Sequence, residues 1–242
     1  MHQPLPRVQR EVVSFVRRSS RMNPSQLKAW TDLQHWVVRV PARESSTSVA
    51  AEAEVDWAEV FGRRAPLVVE LGGGTGDVIA AVAAAHPERD FIGFEVFEPA
   101  VASTLSKCAR AGVGNVRMVV ANGVDALGAL IDDDSLTELW TFFPDPWPKK
   151  RHHKRRLVST GFADLVADKL APRGHWRLAT DWAEYADAMH AALEAHPRLV
   201  NCHDGWAPRW QDRPVTGFEA KGRAAGRTIY DLCYRRREGG RP

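Results

Sequence analysis

The stretch PLVVELGGGTGDVIAAVAAAHP, residues 66–87, decides the fold, because an apolar run passes through a cluster of glycines into a helical pattern. Residues 66–71 have the length and apolarity of a buried strand, and residues 77–87 have the apolar spacing of a helix. The glycines between them let the backbone turn tightly and let a ligand approach without Cβ atoms in the way. The stretch therefore predicts a strand, a turn and a helix at a ligand-binding edge.

The same alternation continues along the chain. Further strands are predicted at 90–96, 115–122, 136–144 and 175–181, further helices at 98–112, 156–172 and 182–197, and a late β-branched and aromatic strand at 228–236. Continuous apolar strands that alternate with helices indicate an α/β fold. We predict a Rossmann-like, mostly parallel sheet with helices on both faces and a late antiparallel strand. Since such sheets bind ligands at the carboxyl ends of their strands, the functional residues are expected in the loops that follow them.

The composition is that of one ordinary domain with a sizeable core. The chain has 242 residues, of which 44% are hydrophobic and 26% charged. No run approaches the roughly 18 apolar residues of a membrane span, and the first residues lack the features of a secretory signal. Three scattered cysteines, Cys108, Cys202 and Cys233, indicate reduced thiols. We expect a cytoplasmic protein without a membrane partner.

The net charge of +3 hides a strong polarity along the chain. Residues 1–42 carry a net charge of +5, residues 43–145 carry −10, residues 146–204 carry +3 and residues 205–242 carry +5. Cationic ends and a cationic central loop around an acidic body favour a polyanion that docks on one side. Solvated basic faces explain the same charges, so the charge pattern by itself leaves both interpretations open.

The glycine turn and two later strand ends predict a cofactor. The pattern Glu-x-Gly-x-Gly-x-Gly at 70–76 departs from the dinucleotide fingerprint, because Asp77 occupies the third glycine position and opposes a pyrophosphate. A nucleoside without phosphates fits better, and S-adenosyl-L-methionine is the obvious candidate. Glu95 ends the second strand, where an acid accepts ribose hydroxyls, and Asn122 ends the third, where it can reach an adenine edge. Plain strand–helix packing and a solvated Glu95 are the structural alternatives.

The segment FFPDPWPKKRHHKRR, residues 142–156, joins an acid, an indole and a dense run of cations after the fourth predicted strand. Two prolines fix φ on either side of Asp145 and so aim its carboxylate. Trp147 offers a flat face for stacking a base, and the cations of 149–156 can hold phosphates near that base. A turn-forming aspartate and a nuclear-type or solvated basic tract are the alternatives. Neither explains why these residue types follow one another at a ligand edge.

This segment strongly resembles the signature of the tRNA (guanine-N7-)-methyltransferase family, TrmB. The resemblance extends from SFVRRSSRMNPSQ (14–26) to DLCYRR (231–236) and includes GFEVFEPA (93–100), ATDWAEYADAM (179–189) and RPVTGFEAKGRAAGRTIYDL (213–232). It implies a class I S-adenosylmethionine-dependent methyltransferase that methylates N7 of guanosine 46 in the variable loop of tRNA, forming 7-methylguanosine. The expected organisation is a basic N-terminal arm and linker over 1–54, disordered in part, and a methyltransferase domain over 55–242.

The resemblance also implies the site residues. The methyl-donor contacts fall on Glu70, Gly72, Gly74, Glu95, Asn122 and Asp145, of which Asp145 is in addition the active-site acid. The substrate contacts fall on Lys149, Asp181, Thr216, Gly217, Phe218 and Glu219. The tRNA-contacting stretch is Arg151, His152, His153, Lys154, Arg155 and Arg156.

The chain departs from the family pattern at three positions. Asn122 stands where the family commonly has an acid, Gly217 stands where it commonly has a lysine, and Ser20 replaces a usual glycine. Asn122 can still bond an adenine, whereas the lost cation at 217 affects how the substrate is positioned.

Some implied residues have competing structural interpretations. Asp181 is followed three residues later by Glu184, a spacing that also predicts a capping box for the next helix. The C-terminal cations are interpreted either as tRNA contacts or as solvated charges; they are Arg213, Lys221, Arg223 and Arg227.

Guanine N7 is an exposed lone pair without a proton, so its methylation needs no strong general base. Asp145 would stabilise the purine as it becomes cationic and would orient it.

Two other functions stay open: a methyltransferase for another substrate, against which the basic run argues, and a silent tRNA-binding partner, against which Glu95 and Asp145 argue. A metal enzyme is disfavoured, because the nine histidines form no HExxH motif and His152 and His153 are adjacent. We expect a monomer, and the sequence leaves a homodimer open.

Overall fold

The computed structural model describes residues 21–238, and its centre is one seven-stranded sheet. The strands are β1 (Leu67–Leu71), β2 (Asp90–Glu95), β3 (Val116–Val120), β4 (Leu136–Phe142), β5 (Leu170–Thr180), β6 (Leu199–Asn201) and β7 (Tyr230–Arg236). Their order is β3-β2-β1-β4-β5-β7-β6; the pairs among β1 to β5 are parallel, and β7 is antiparallel to both neighbours. The predicted mostly parallel sheet with a late antiparallel strand is confirmed.

Eight α-helices and two 3₁₀ helices are formed by residues 21–238. The α-helices are α1 (Pro24–Leu33), α2 (Trp57–Phe61), α3 (Asp77–Ala85), α4 (Glu98–Ala111), α5 (Gly123–Leu130), α6 (Thr160–Lys169), α7 (Ala183–Glu194) and α8 (Gly217–Ala224). The 3₁₀ helices are Gln34–Trp36 and Lys150–Arg155. None of these helices combines the length and apolarity needed to cross a bilayer.

Helices cover both faces of the sheet, as predicted. On one face Val68 of β1 packs in a buried cluster with Ile79 of α3. On the other face the next residue, Val69, packs in a second cluster with Leu127 of α5 and Tyr185 of α7. Alternate side chains of a strand point to opposite faces, so both surfaces of the sheet are removed from water. The open surface left for a ligand is the edge where the strands end.

Several short elements lie outside the predicted pattern, among them α5, α8 and β6. Helices α5 and α8 each contain two glycines, which have low helix propensity and hide the helical pattern. Strand β6 is only three residues long, and its backbone pairs with β7 from Leu199 to Asn201. Its existence depends on a partner that is distant in sequence, so its own residues carry little signal.

The small, polar composition of residues 41–54 predicts a linker, but part of this segment is buried. Val49, Ala50 and Ala53 are buried in the same cluster as α5 and α6. The backbone N–H of Asn122 donates a 2.6 Å hydrogen bond to the carbonyl oxygen of Thr47. Small side chains are common in linkers, but here they allow close packing, and the linker prediction is wrong for that reason.

The N-terminal helix α1 docks on α4. The Gln26 side chain donates to the carbonyl oxygen of Pro99 at 3.0 Å and to the Ser103 hydroxyl at 3.1 Å. Part of the predicted basic arm is therefore helical and attached to the body. The rest of that arm, residues 1–20 with Ser20, lies outside the described residues.

Candidate active site

The crevice at the carboxyl edge of the sheet lies between the loops that follow β1 and β4. The chain builds β2 and β3 on one side of β1 and then crosses to β4 on the other side. Loops that diverge at such a switch point leave an open crevice between them, which is the usual ligand site of this fold. A separate cavity of about 410 Å³ at the opposite edge is lined by Arg63, Asp90 and Asn115 and by none of the predicted site residues.

The turn after β1 requires glycine for stereochemical reasons. Gly72, Gly74 and Gly76 have φ angles of 66°, 56° and 75°, a left-handed region that other residues rarely adopt. A Cβ on Gly76 would lie 2.4 Å from side-chain atoms of Thr104 on α4. The turn therefore brings the backbone close to α4 and keeps the surface above it free of side chains.

Glu70, the last polar residue of β1, is buried beneath this turn. Only 2% of it is exposed, and its Oε2 has no hydrogen-bond partner within residues 21–238. Burial, together with the nearby charge of Glu95, raises the pKa of Glu70 to about 8. A buried polar atom without a partner is costly, and a ligand with an N–H or O–H donor would satisfy it.

Glu95 ends β2 and links two loops. Its Oε2 accepts a 3.0 Å hydrogen bond from the N–H of Gly74, and its Oε1 accepts a 3.0 Å bond from the N–H of Phe97. Burial raises the pKa of this carboxyl. Glu95 is thus a fixed acid at the turn and not the solvated strand end of the alternative interpretation.

Asn122, at the end of β3, begins helix α5. Its Oδ1 accepts hydrogen bonds from the N–H groups of Val124 at 2.9 Å and Asp125 at 3.4 Å. This capping contact orients the side chain at the same edge as Glu95. An adenine contact by Asn122 remains a proposal.

The loop after β4 is strained on both sides of Asp145. Phe143 and Trp147 have left-handed φ angles of 53° and 42°, which bulky residues rarely adopt. The N–H of Phe143 donates to the carbonyl oxygen of Ala179 at 2.7 Å, which holds one end of the loop against β5. The Asp145 carboxyl is exposed at the crevice, yet neighbouring atoms desolvate it enough to raise its pKa. Strain of this kind is found where the surroundings fix a side chain for function.

The basic run that follows is mostly on the surface. Lys149, Lys150, Arg151 and Lys154 are exposed along the 3₁₀ helix. His152 and His153 are half-buried; the ring of His152 lies edge-on to the indole of Trp147, and slight burial with the neighbouring cations lowers its pKa. The guanidinium of Arg155 lies 5.0 Å from the Trp147 ring centroid. These residues form one cationic surface beside Asp145.

Arg156 does not share this surface, contrary to the expectation of a tRNA contact. It is 7% exposed, and its guanidinium binds Glu184 of α7 and the carbonyl oxygen of Pro146. Because all three of its nitrogens bond to protein groups and its side chain is nearly covered, it is anchored away from solvent.

Helix α8 stands beside the glycine turn, but two of its predicted substrate residues are buried. Thr216 is the N-cap, whose hydroxyl accepts from the N–H of Glu219 at 3.1 Å. Glu219 is fully buried and forms ion pairs with Arg209, Arg213 and Arg223. Although burial opposes the charged form, these arginines lower the pKa of Glu219. The structure therefore gives Thr216 and Glu219 structural contacts.

The residues that α8 does present to the crevice are Gly217 and Phe218. Phe218 is 55% exposed, and its ring edge would lie 3.8 Å from a Cβ placed on Gly74. Gly217 is exposed and has open space around it. An aromatic ring next to the glycine turn is a surface on which a planar ligand can pack.

Arg213 is neither a solvated charge nor a surface tRNA contact, so both interpretations made from the sequence are wrong. It is fully buried, and its guanidinium binds both carboxylate oxygens of Asp231 at 2.6 and 3.0 Å. The guanidinium also lies 5.1 Å from the Phe142 ring and 5.6 Å from the Phe143 ring. Arg213 therefore braces the start of the strained loop, a role for which the sequence around it carries no visible signal.

The capping box predicted for Asp181 is wrong. Helix α7 has Trp182 as its N-cap, and the N–H of Trp182 donates to the hydroxyl of Thr180 at 3.2 Å. The Asp181 carboxylate instead accepts from Arg227 at 2.8 Å, after α8. Glu184, the other half of the expected box, pairs with Arg156.

Within the part of the chain that the structure describes, no three metal-ligating side chains come together. The site is thus an acidic turn on one side of a strained loop and a cationic surface on the other.

A family model described as "Putative methyltransferase" matches residues 64–232. A protein of Cutibacterium acnes named tRNA (guanine-N(7)-)-methyltransferase is 54% identical over 234 residues, covering 95% of this chain and 85% of its own length. The chain belongs to the tRNA (guanine-N(7)-)-methyltransferase family.

Other members of this methyltransferase family match over a similar length. A protein of the same name from Nocardioides sp. is 48% identical and covers 94% of this chain and 88% of its own. Among solved structures, the 16S rRNA methyltransferase KamB matches with a TM-score of 0.55 and 14% identity, covering 82% of this chain and 99% of that chain. The antibiotic-resistance methyltransferase Kmr matches with a TM-score of 0.51 and 18% identity, covering 83% and 99%. At these identities the solved structures show the shared fold alone, which is the class I methyltransferase fold that the resemblance implied.

Proposed function

We propose that this enzyme transfers a methyl group from S-adenosyl-L-methionine to N7 of guanosine 46 in the variable loop of cytoplasmic tRNA. The observation that carries the proposal is the position of Asp145. It is exposed in a strained loop that follows β4, the strand next to β1 and its glycine turn, and that leads into an exposed cationic helix. The names of the relatives supply the tRNA and the guanine nitrogen, while the donor and the variable-loop position rest on the residues described above and on family resemblance.

The residues of the glycine turn fit a donor that has hydroxyl and amino groups and no phosphate. The unpartnered Glu70 Oε2 and the Glu95 carboxylate are acceptors for such groups. Asp77 begins α3 and pairs with Lys107, so the start of this helix is not free to bind a phosphate. When bound, S-adenosyl-L-methionine would supply a methyl group on a positively charged sulfur. Glu70, Gly72, Gly74, Glu95 and Asn122 would hold it.

Asp145 would act by charge and orientation. Guanine N7 has no proton to lose, so a strong base has no task in this reaction. As N7 takes up the methyl group, the purine becomes cationic, and a carboxylate held at its edge stabilises that charge. The strained backbone at Phe143 and Trp147 fixes where this carboxylate points, so little reorganisation is needed at the moment of reaction.

The cationic surface would hold the tRNA backbone. Lys150, Arg151 and Lys154 lie on the 3₁₀ helix and Lys149 is its N-cap, and these four exposed cations can contact phosphates. Trp147 with Arg155 over its ring extends this surface toward Asp145. Asp181, which follows β5, and Gly217 and Phe218, which begin α8, would position the nucleoside.

The decisive test is a product map. Unmodified tRNA is incubated with the protein and labelled donor, and borohydride–aniline treatment then cleaves the strand at 7-methylguanosine. Cleavage at nucleotide 46 that requires both donor and wild-type protein supports the proposal, with Asp145→Ala as the inactive control. Label at another nucleotide, or donor binding in calorimetry without transfer to any tRNA, would reject it.

A further inference from the structure

Arg156 ends the basic run, but its surroundings differ from those of the cations before it. Its side chain is 6% exposed, whereas Lys149, Lys150, Arg151 and Lys154 are exposed. One guanidinium nitrogen, Nη1, donates to Glu184 Oε1 at 3.0 Å, and Nη2 donates to Glu184 Oε2. A two-point pair of this kind fixes the direction of the guanidinium as well as its position.

The third nitrogen of the same guanidinium reaches back to the catalytic loop. Arg156 Nε donates a 2.9 Å hydrogen bond to the carbonyl oxygen of Pro146, the residue that follows Asp145. The two ends of the segment from 146 to 156 are therefore joined directly. Because Pro146 lies between Asp145 and the left-handed Trp147, this bond acts on the strained part of the loop.

Tyr185 of helix α7 packs against this junction. The guanidinium of Arg156 lies 4.7 Å from the ring centroid of Tyr185, and the Tyr185 hydroxyl accepts a 3.0 Å hydrogen bond from the N–H of Val158. Tyr185 is fully buried in the core. The position of Pro146 is thus connected through Arg156 to a rigid helix.

We propose that Arg156 and Glu184 are positioning residues for methyl transfer, which hold Pro146 and thereby aim the neighbouring Asp145 carboxylate, and that Arg156 is not a tRNA contact. The proposal rests on the proposed function, since it assigns what the pair does for that reaction. Strained backbone persists only where the surroundings over-determine it, and the hydrogen bond to Pro146 is such a constraint. Three of its five N–H donors are engaged and its side chain is only 6% exposed, so little of the guanidinium is accessible to a phosphate.

The test compares Arg156→Lys and Glu184→Gln with a matched control, Arg198→Lys. Lysine keeps the charge of Arg156 but cannot make the two-point pair and the Pro146 bond together. Arg198 forms the same kind of contacts, to Asp168 and to the carbonyl oxygen of Asp164, on helix α6 and away from the loop. All variants are assayed below their unfolding temperatures for kcat, for KM with tRNA and for tRNA affinity at two salt concentrations without donor.

We expect Arg156→Lys and Glu184→Gln to lower kcat by roughly 10- to 100-fold, the cost of a misplaced catalytic group, with unchanged tRNA affinity and salt dependence. Arg198→Lys should keep its kcat. The idea is overturned if the Arg156 and Glu184 variants keep kcat but bind tRNA more weakly with a smaller salt dependence. It is also overturned if Arg198→Lys loses as much kcat as they do.

Hydrogen exchange on the ligand-free protein supplies a readout that needs no activity. The N–H of Phe143 is bonded to Ala179, and the N–H of His152 is bonded to Lys149, one on each side of the loop. Both should exchange faster in Arg156→Lys than in wild type and be unchanged in Arg198→Lys. If exchange is the same in all three, the pair does not hold the loop. Should the wild-type protein methylate no tRNA, the proposed function fails while this measurement still decides whether the loop is held.

Discussion

The two sides of the crevice are built with opposite chemistry. On the β1–β3 side, acids bind backbone N–H groups: Glu95 accepts from Gly74 and Phe97, and Glu70 lies beneath the turn. On the β4–β7 side, arginines bind carboxylates, as in the pairs Arg156–Glu184 and Arg213–Asp231. The acidic side suits a cationic donor without phosphates, and the basic side suits a polyanion. The loop that carries Asp145 lies where the two meet.

The largest effect is expected on the unfolding free energy, at the buried ion pair of Arg213 and Asp231 on the basic side. Arg213→Ala would leave Asp231 as a buried charge without its partner, which costs about 3–5 kcal/mol of unfolding free energy. Urea unfolding measures this change. The double variant Arg213→Met with Asp231→Leu should recover much of the loss, because no charge is then left unpaired. A loss below about 1 kcal/mol, the scale of a surface ion pair, would show that the buried pair is not what holds this side.

The next largest effect is on catalysis at the meeting point. Asp145→Ala should lower kcat by roughly 10²- to 10³-fold, as expected when a preorganised electrostatic group is removed. Since Asp145 is exposed, unfolding free energy and tRNA affinity should stay close to wild type. Steady-state kinetics measures the change in kcat, and a filter-binding titration measures tRNA affinity. Normal turnover by this variant would remove Asp145 from the mechanism.

A smaller, pH-dependent effect is expected on the acidic side. The pKa of Glu70 is about 8 in the folded protein, above the ordinary value of 4.5 that it regains on unfolding. Between these values the folded state retains a proton that the unfolded state has lost, so unfolding free energy falls as pH rises, by up to about 1.4 kcal/mol per unit. Glu70→Gln should remove this slope between about pH 5.5 and 7.5, whereas the exposed control Glu52→Gln should follow wild type. If the unfolding free energies of wild type and Glu70→Gln change with pH in parallel, the raised pKa assigned to Glu70 is wrong.

The smallest effects are expected from single exposed cations of the basic side. Lys150→Ala and Lys154→Ala should each weaken tRNA binding and lower the slope of log affinity against log salt by about 0.7–0.9, one phosphate contact each. Donor affinity should not change, because these side chains belong to the exposed 3₁₀ helix and not to the glycine turn or the ends of β2 and β3. Arg173→Ala, an exposed cation at the opposite end of β5, is the control and should leave the slope unchanged. If the slope is unchanged in both lysine variants, this helix does not contact the tRNA phosphates.

The contrast between the two sides also explains how far the sequence could be interpreted. The glycine turn, the acid at the end of β2 and the acid between two prolines lie at or directly after the ends of predicted strands, and these strand ends share one edge of the sheet. The mistakes at the site concern arginines and acids whose residue type was visible but whose burial was not. Arg156 and Arg213 were interpreted with the surface cations, and Glu219 with the substrate contacts, although all three are buried.

Local patterns were sufficient for strands β1 to β5 and β7 and for helices α3, α4, α6 and α7, because apolar periodicity and glycine stereochemistry act over a few neighbouring residues. Which arginines are held away from solvent is set by residues that are far apart in the chain: Glu184 for Arg156 and Asp231 for Arg213. An arginine becomes an internal brace only where folding brings a carboxylate and an aromatic ring to it, since an unpaired buried charge is too costly. The tertiary structure alone therefore decides whether an arginine is buried in an ion pair or exposed on a binding surface.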